Sequence, residues 1–368
     1  MKIGLVFDDS LDSTDGVAQY VLALGDWLTS QGHKVHYLVG ETHRTDLPNL
    51  HSLSRNVRVT FNGNKLGMPL PAPLKPIKKL LATEQFDVLH VMMPYSPLLA
   101  GRILHQAPAS VRIVGTFHIA PYSGLATLGA KLLGIWCRPT LRRFNQVVSV
   151  SSAAKEFTRK TFGIDSKVVP NMFDYATFAG AKPMPDLQKP TIVFLGRLVA
   201  RKGCQKLLEA AAQLAKNGQE FQLIVCGDGE LRGQLENYVR ANQLEKQVTF
   251  AGRVPEADKA RYLASSDISV FPSSSGESFG IVLLEAMASG QAAVLGGDNP
   301  GYRTVLGGNP ELLFPATDSQ ALAQKIMELL HNAKKQKELA GWGQREAKKY
   351  DKAVVGPQIL ELYKMKGA

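Results

Sequence analysis

No uncharged apolar run approaches the roughly 18 residues a membrane-spanning helix requires, although 45% of the 368 residues are hydrophobic. Cysteine is scarce. Cys137, Cys204 and Cys226 stand far apart, at neither disulfide-framework nor metal-ligand spacing, and read as core thiols of a reducing cytoplasm. The chain opens on KIGLVF, a buried-strand pattern that does not read as a leader or a lipidation signal. Short-period repeats are missing, and the acids of the first loop (Asp8, Asp9, Asp12, Asp15) contain no D-x-D pair. Helix caps and solvated loop acids account for most of them better than a metal site does.

Acidic residues are nearly missing from one long stretch. Residues 48–150 carry 12 basic side chains against Glu84 and Asp87 alone, whereas residues 1–47 carry 3 basic and 7 acidic. One region thus holds nearly all of the net charge of +11. Such a field suits an anionic surface, either nucleic acid or acidic lipid. The cations have no interleaved aromatic platform or recognition motif, which weighs against nucleic acid.

Two rounds of strand–helix alternation fill the length, and two domains are the natural division of a chain of this size. KIGLVF, KVHYLV, FDVLHVM, RIVGTFH and QVVSVS are strands of the first round, with a helix over Val17–Ser30. TIVFLG, FQLIVCG, QVTFAG, DISVFPS and AAVLGG belong to the second, with helices over Gln205–Lys216, Glu230–Asn242 and Asp258–Ser265. This alternation predicts an α/β protein of two Rossmann-like domains, each a parallel sheet wrapped by helices. The predicted division is 1–170, a connector over 171–190 rich in Pro183, Pro185 and Pro190, and 191–351. A polar helical tail follows, with 352–368 expected to cross back and complete the first domain. Ligands are expected where strand C-termini of the two domains face each other across a cleft.

The most informative segment is ESFGIVLLEAMASG, Glu277 to Gly290, with two carboxylates eight positions apart. Gly280 permits a tight turn into a helix, Gly290 suits its left-handed stop, and Leu284, Glu285 and Ala288 share a face with Ile281. A helix opening at a glycine leaves N–H groups and a positive dipole end free for phosphate or carboxylate. FLGRLVARKG ends a strand at Gly196 and delivers Arg197, Arg201 and Lys202, cations suited to diphosphate oxygens. A lone R-x4-K is more often plain surface basicity; the strand end and the Glu277–Gly280 segment on the same sheet edge favour function here. The glycines of CGDGE read equally well as a turn. Gly16 and Val17 open the first helix, and His118 closes the RIVGTFH strand at a ligand-facing edge.

FLGR…RKG, GDGE and above all E-x7-E in ESFGIVLLEAMASG resemble the retaining glycosyltransferases of family 4, of GT-B fold. KIG, GV-x-Q, TFH and VPN extend the likeness over essentially the whole chain, toward the branch that mannosylates phosphatidylinositol from GDP-mannose. That resemblance implies that Arg197 and Lys202 bind the diphosphate and stabilise it as leaving group. It places Glu277 on donor-sugar hydroxyls, Glu285 on the ribose, and the backbone of Gly280, Ile281 and Val282 on phosphate or sugar. Gly16 would let the first helix approach the diphosphate, His118 would contact the transferring sugar and acceptor, and Glu256 and Lys259 would read the base. Two departures stand out: Asp15–Gly16 replaces the usual double glycine, and Glu256 stands where Asp is usual.

With no covalent nucleophile evident, the expected mechanism is metal-independent front-face transfer, in which the departing diphosphate helps deprotonate the acceptor. The expected partners are a nucleotide sugar and an anionic phospholipid membrane carrying the lipid acceptor, at the inner face of the plasma membrane. Alternatives are a family 4 enzyme using UDP-glucose or UDP-galactose on diacylglycerol or a soluble glycan, and a non-catalytic nucleotide-sugar-binding or scaffold protein. Lys75, Lys78 and Lys79 share one face of a predicted helix, opposite Ile77, Leu80 and Leu81. Either this is a membrane-binding helix, or its apolar side packs on its own domain. RPTLRRF (Arg138, Arg142, Arg143) and the apolar LATLGAKLLGIW before it add to the case for a membrane.

Overall fold

The computed structural model describes residues 1–12, 15–61, 64–119, 124–184 and 190–364. It divides into two units, Met1–Met172 with Lys352–Ala368, and Phe173–Asp351. Pro185 of the expected connector, the end of the tail past Lys364 and the side chains of residues 125–128 in the LATLGAKLLGIW run lie outside the described residues.

In the first unit, β1 (Lys2–Phe7), β2 (Lys34–Val39) and β3 (Leu50–Ser52) precede a hairpin of β4 (Asn56–Phe61) and β5 (Asn64–Pro69). β6 (Val88–Val91), β7 (Arg112–Phe117), β8 (Gln146–Ser149) and β9 (Lys167–Val168) follow. The sheet order is β3-β2-β1-β6-β7-β8-β9, and every pairing is parallel. Runs such as IGLVF are apolar at consecutive positions because helices cover both faces of a parallel sheet. The helices are α1 (Gly16–Ser30), α2 (Leu74–Glu84), α3 (Ala100–Gln106), α4 (Gly124–Trp136), α5 (Arg138–Leu141) and α6 (Ser152–Phe162).

α1 and the C-terminal helix over Lys352–Lys364 bury Leu24, Trp27, Val355 and Ile359 with Ile3 and Leu5. That C-terminal helix does belong to the first unit. Its Gly356 lies so close to the Trp27 ring that a Cβ would stand 2.3 Å from it. Lys352 Nζ reaches Asp26 Oδ2 at 2.5 Å, and Arg112 Nε donates to the Leu362 carbonyl at 2.7 Å. α2 and α3 bury Ile77, Leu81, Ile103 and Leu104 with Val6, Leu89 and Val91. The apolar side of α2, Ile77 and Leu81, is therefore consumed by its own domain, while Lys75, Lys78 and Lys79 are exposed, as is Leu74 at the start of the helix. Any membrane contact through α2 is electrostatic.

The second unit opens with α7 (Tyr175–Ala179), a short helix inside the segment expected to be a plain connector. Asp174 caps it, and it packs on two later helices of the same unit. Strands β10 (Thr191–Leu195), β11 (Gln222–Cys226), β12 (Val248–Gly252), β13 (Ile268–Phe271), β14 (Ala293–Gly297) and β15 (Leu313–Phe314) form a parallel sheet ordered β12-β11-β10-β13-β14-β15. Its helices are α8 (Cys204–Lys216), α9 (Arg232–Ala241), α10 (Glu256–Ala264), α11 (Ile281–Ala288), α12 (Pro300–Leu306), α13 (Ser319–Leu330) and α14 (Ala333–Lys348), and the Lys352–Lys364 helix is α15. The strand order turns at β10 and β13, so the loops after these two strands are where such a sheet presents ligand groups.

Candidate active site

After β10, the chain from Gly196 to Lys202 is laced to the GDGE turn. Leu198 N–H donates to the Asp228 carbonyl at 2.9 Å, and Leu231 N–H to the Leu198 carbonyl at 3.0 Å. A Cβ on Gly227 would meet the Gly196 carbonyl at 1.9 Å. The GDGE glycines thus allow two backbones to touch, which is a positioning role for the Arg197 loop rather than a phosphate cradle. Arg197 is exposed, and a short 3₁₀ turn over Ala200–Lys202 brings Arg201 and Lys202 to the loop after β13.

There the carboxylate of Glu277 receives them. Lys202 Nζ lies 2.7 Å, Ser273 Oγ 2.9 Å and Arg201 Nη1 3.0 Å from the same Oε1. Burial alone would raise this carboxyl, but Lys202 and Arg201 outweigh it and hold Glu277 below the usual range. Burial pulls Lys202 below its ordinary value; Glu277 opposes that, while Arg201 and Arg197 add to it. Behind Glu277, Tyr302 hydroxyl donates to Ser273 Oγ at 3.3 Å, and Asn299 Nδ2 donates to the Ser273 carbonyl at 2.9 Å. A Cβ on Gly301 would stand 2.2 Å from the Glu277 carbonyl. Arg201 was expected to face the diphosphate rather than to hold Glu277, and Ser273, Asn299 and Tyr302 were not among the sequence-predicted site residues. Asn299-Pro300, a side-chain cap followed by Pro at the first helical position, was the one legible signal for this support.

Gly280 holds φ +112 at the start of α11, where a Cβ would strike the Tyr302 ring at 2.7 Å. No side chain caps α11, so the first N–H groups of Ile281 and Val282 are open to an anion. Gly290 ends the segment at φ +69, the left-handed stop expected of it. One helical turn further in, Glu285 is 2% exposed and pairs with Lys259 Nζ at 2.6 Å. Its second oxygen, Oε2, is buried without a hydrogen-bond partner. Burial raises Glu285 above the usual carboxyl value despite Lys259. Lys259 also reaches Glu256 Oε1 at 3.2 Å and stands 5.6 Å over the Phe178 ring of α7. Burial works against its charge, but Glu285 and Glu256 keep it above its ordinary value. Glu256, Lys259 and Glu285 therefore form one ion network in which Glu285 Oε2 is left without a hydrogen-bond partner.

In the first unit the corresponding loop ends are those after β1 and β7. Asp15, the residue replacing a glycine, is the N-cap of α1. Its carboxylate accepts from Val17 N–H at 2.9 Å and from Ala18 N–H at 3.0 Å. Beside Gly16, then, the helix start already holds an anion, unlike that of α11. The other loop acids are similarly engaged: Asp12 accepts from Thr42 Oγ1 at 2.7 Å, and buried Asp8 accepts from Ser96 and from Leu99 and Ala100 N–H. Burial pushes Asp8 up to about 6. His118 follows β7, edge-on to Tyr20 at 4.8 Å, with both ring nitrogens buried and lacking a hydrogen-bond partner. Burial drives its imidazole down to about 3, against the influence of Asn171, whose buried Oδ1 also lacks a partner. A neutral imidazole with spare nitrogens can donate to or accept from a sugar hydroxyl. Of the RPTLRRF cations, Arg143 caps α3 through the Leu104 and Ala107 carbonyls, while Arg138 and Arg142 are exposed.

Residues 14–177 match the family described as Glycosyltransferase Family 4, and residues 180–346 match Glycosyl transferases group 1. The chain is 33% identical to a phosphatidyl-myo-inositol mannosyltransferase of Mycobacterium tuberculosis, covering 99% of this chain and 96% of that one. A protein of the same description from Mycolicibacterium smegmatis is also 33% identical, over 99% and 93%. Among solved structures, sucrose-phosphate synthase from Thermosynechococcus elongatus superimposes with a TM-score of 0.78 at 21% identity, over 99% and 98% of the two chains.

Proposed function

The chain belongs to glycosyltransferase family 4, and from there we propose that it moves mannose from GDP-mannose to the inositol of phosphatidylinositol, with retention of configuration. The observation that carries the donor half is the convergence of Arg201, Lys202 and Ser273 on Glu277 beside the uncapped start of α11. Lys202 and Arg197 meet the diphosphate, and the N–H groups of Gly280, Ile281 and Val282 add the positive end of a helix dipole. Glu277, held ionised by its cations, accepts from sugar hydroxyls. Glu285 Oε2 accepts from the ribose, and Glu256 with Lys259 faces the base. The full-length likeness to phosphatidyl-myo-inositol mannosyltransferases supports the acceptor and the sugar.

In the proposed step the bond from the anomeric carbon to the diphosphate oxygen breaks, and an inositol oxygen bonds to the same face of that carbon. The departing diphosphate takes the inositol hydroxyl proton. Lys202, Arg197 and the α11 N-terminus carry the charge that develops on the leaving group, so the step calls for no divalent metal. His118, neutral and with spare nitrogens, orients hydroxyls of the transferring sugar and the acceptor. The enzyme works as a peripheral protein on the inner face of the plasma membrane, with Lys75, Lys78 and Lys79 toward anionic lipid. A screen of nucleotide sugars against a total lipid extract, read by mass spectrometry, tests the assignment. One hexose added to phosphatidylinositol from GDP-mannose is expected; hexosylated diacylglycerol from UDP-glucose would replace it.

A further inference from the structure

Among the described residues of the first unit, one apolar ridge stands uncovered. On α4, Leu132, Ile135 and Trp136 are 62%, 67% and 68% exposed, and their spacing puts them on one face. No other large hydrophobic residue among those described exceeds 50%. The inner side of α4 is accounted for: Leu133 packs with Phe117, Cys137 and Leu141, and Gly134 lies against Phe162 of α6. The ridge is thus the outer face of a docked helix.

Cations crowd the ridge and the chain that follows it. Lys131 stands on the ridge, Arg138 and Arg142 follow it, all three are exposed, and no acidic residue occurs between Asp87 and Glu156. Arg142 also lines a cavity of about 510 Å³ with Lys155, Lys167 and Asp165, the last paired with Lys155 at 3.1 Å. α2 packs on α3, α3 on α5, α5 on α4 and α4 on α6, so the three α2 lysines belong to the same helical layer.

We propose that α4 and α5 form a membrane wedge: Leu132, Ile135 and Trp136 enter the boundary zone of an anionic leaflet while Lys131, Arg138 and Arg142 engage lipid phosphates. A leaflet fits this surface because it is apolar below and anionic above, matching a ridge with a cationic border. Trp is at home at that boundary, and long basic side chains reach up from it to the headgroups. α2 supplies attraction without insertion, since its apolar side is buried; α4 supplies the insertion. The wedge rests on the proposed lipid acceptor for its purpose, yet it requires only an anionic leaflet and not phosphatidylinositol.

Vesicles of phosphatidylcholine and phosphatidylglycerol, free of phosphatidylinositol, test it directly. On binding, Trp emission should shift to shorter wavelength and be quenched by brominated acyl chains, and Trp136→Phe should remove both signals. The combined Leu132→Ser, Ile135→Ser and Trp136→Ser variant should lose at least about ten-fold in vesicle affinity, with transfer to a short-chain, water-soluble phosphatidylinositol retained. Bound protein with unquenched Trp136, or unchanged affinity of the serine variant, overturns the wedge. So does a dimer in which Trp136 is shielded without lipid, which would assign the ridge to a second copy of the chain. Intact quenching without transfer to any phosphatidylinositol would reject the proposed acceptor and leave the wedge standing.

Discussion

Lys202 Nζ lies 2.7 Å from Glu277 Oε1, a contact that joins the loops after two adjacent strands, β10 and β13. With Arg201 and Ser273 on the same oxygen, the carboxylate is fixed in position and kept ionised. Glu277→Gln retains an acceptor for these donors but removes the charge. Turnover should fall by about 100-fold or more, the scale of losing a preorganised electrostatic contact, with the fold kept. Glu277→Ala leaves two part-buried cations, Arg201 and Lys202, without their carboxylate and should also cost about 1–3 kcal/mol of stability, seen in denaturant titration. Wild-type turnover of the glutamine variant would remove Glu277 from the reaction.

Asp15 occupies a helix end of the kind that binds anions. Because its carboxylate fills the Val17 and Ala18 N–H groups, Asp15→Gly should open the start of α1. The helix then loses only about a few tenths of a kcal/mol of capping, so Tm should fall little, while calorimetry should show GDP binding tightened several-fold. An unchanged Kd would mean that the diphosphate does not use this helix end.

The three α2 lysines are exposed while Ile77 and Leu81 of α2 are buried, so the membrane contact proposed for α2 would be electrostatic. Replacing Lys75, Lys78 and Lys79 by Ser should weaken co-sedimentation with anionic vesicles by about 100-fold at low salt, from about 1 kcal/mol per lysine. Raising the salt should erase most of the difference between the variant and the wild type. An unaltered bound fraction at low salt would exclude α2 from the interface.

Buried histidines make the first unit acid-sensitive. Burial lowers His36 to about 4, against Glu84, and lowers His90 and His118 to about 3. Each is neutral in the folded chain and titrates near 6.5 when unfolded, so its contribution is present above pH 6.5 and is lost as pH falls toward the folded value. From pH 7.5 to 5.5 the three together remove about 4 kcal/mol. Asp8, raised to about 6 by burial, works the other way and returns about 1 kcal/mol over that interval. Denaturant unfolding should therefore show a net loss of about 3 kcal/mol. A flat profile would mean these rings are protonated in the folded state.

Much of the fold was legible because parallel strands covered on both faces are apolar without interruption. KIGLVF, RIVGTFH, TIVFLG and DISVFPS all lie on or across real strands. The β4–β5 hairpin and α7 escaped notice. NVRVTF and NKLGMP lack the continuous apolar signature, and YATFA is too short to show helical periodicity. E-x7-E and RKG marked the donor half, since both sit at glycine-bounded turns that pattern reading can find. The Tyr302–Ser273 support could not be read, because it depends on a contact between residues 29 positions apart. Whether the apolar side of α2 faced lipid or core was equally open in sequence, since both destinations select the same periodicity. Helix capping was among the readings of the first-loop acids, but that Asp15 is the one capping α1 needed coordinates.

The central claim is best tested with purified protein on vesicles that contain phosphatidylinositol, offered GDP-mannose and UDP-glucose in separate reactions. Released nucleotide and lipid mass are then followed together. The account predicts GDP release matched one for one by mannosylated phosphatidylinositol, with neither formed on vesicles that lack phosphatidylinositol. Turnover of UDP-glucose with GDP-mannose ignored would contradict it.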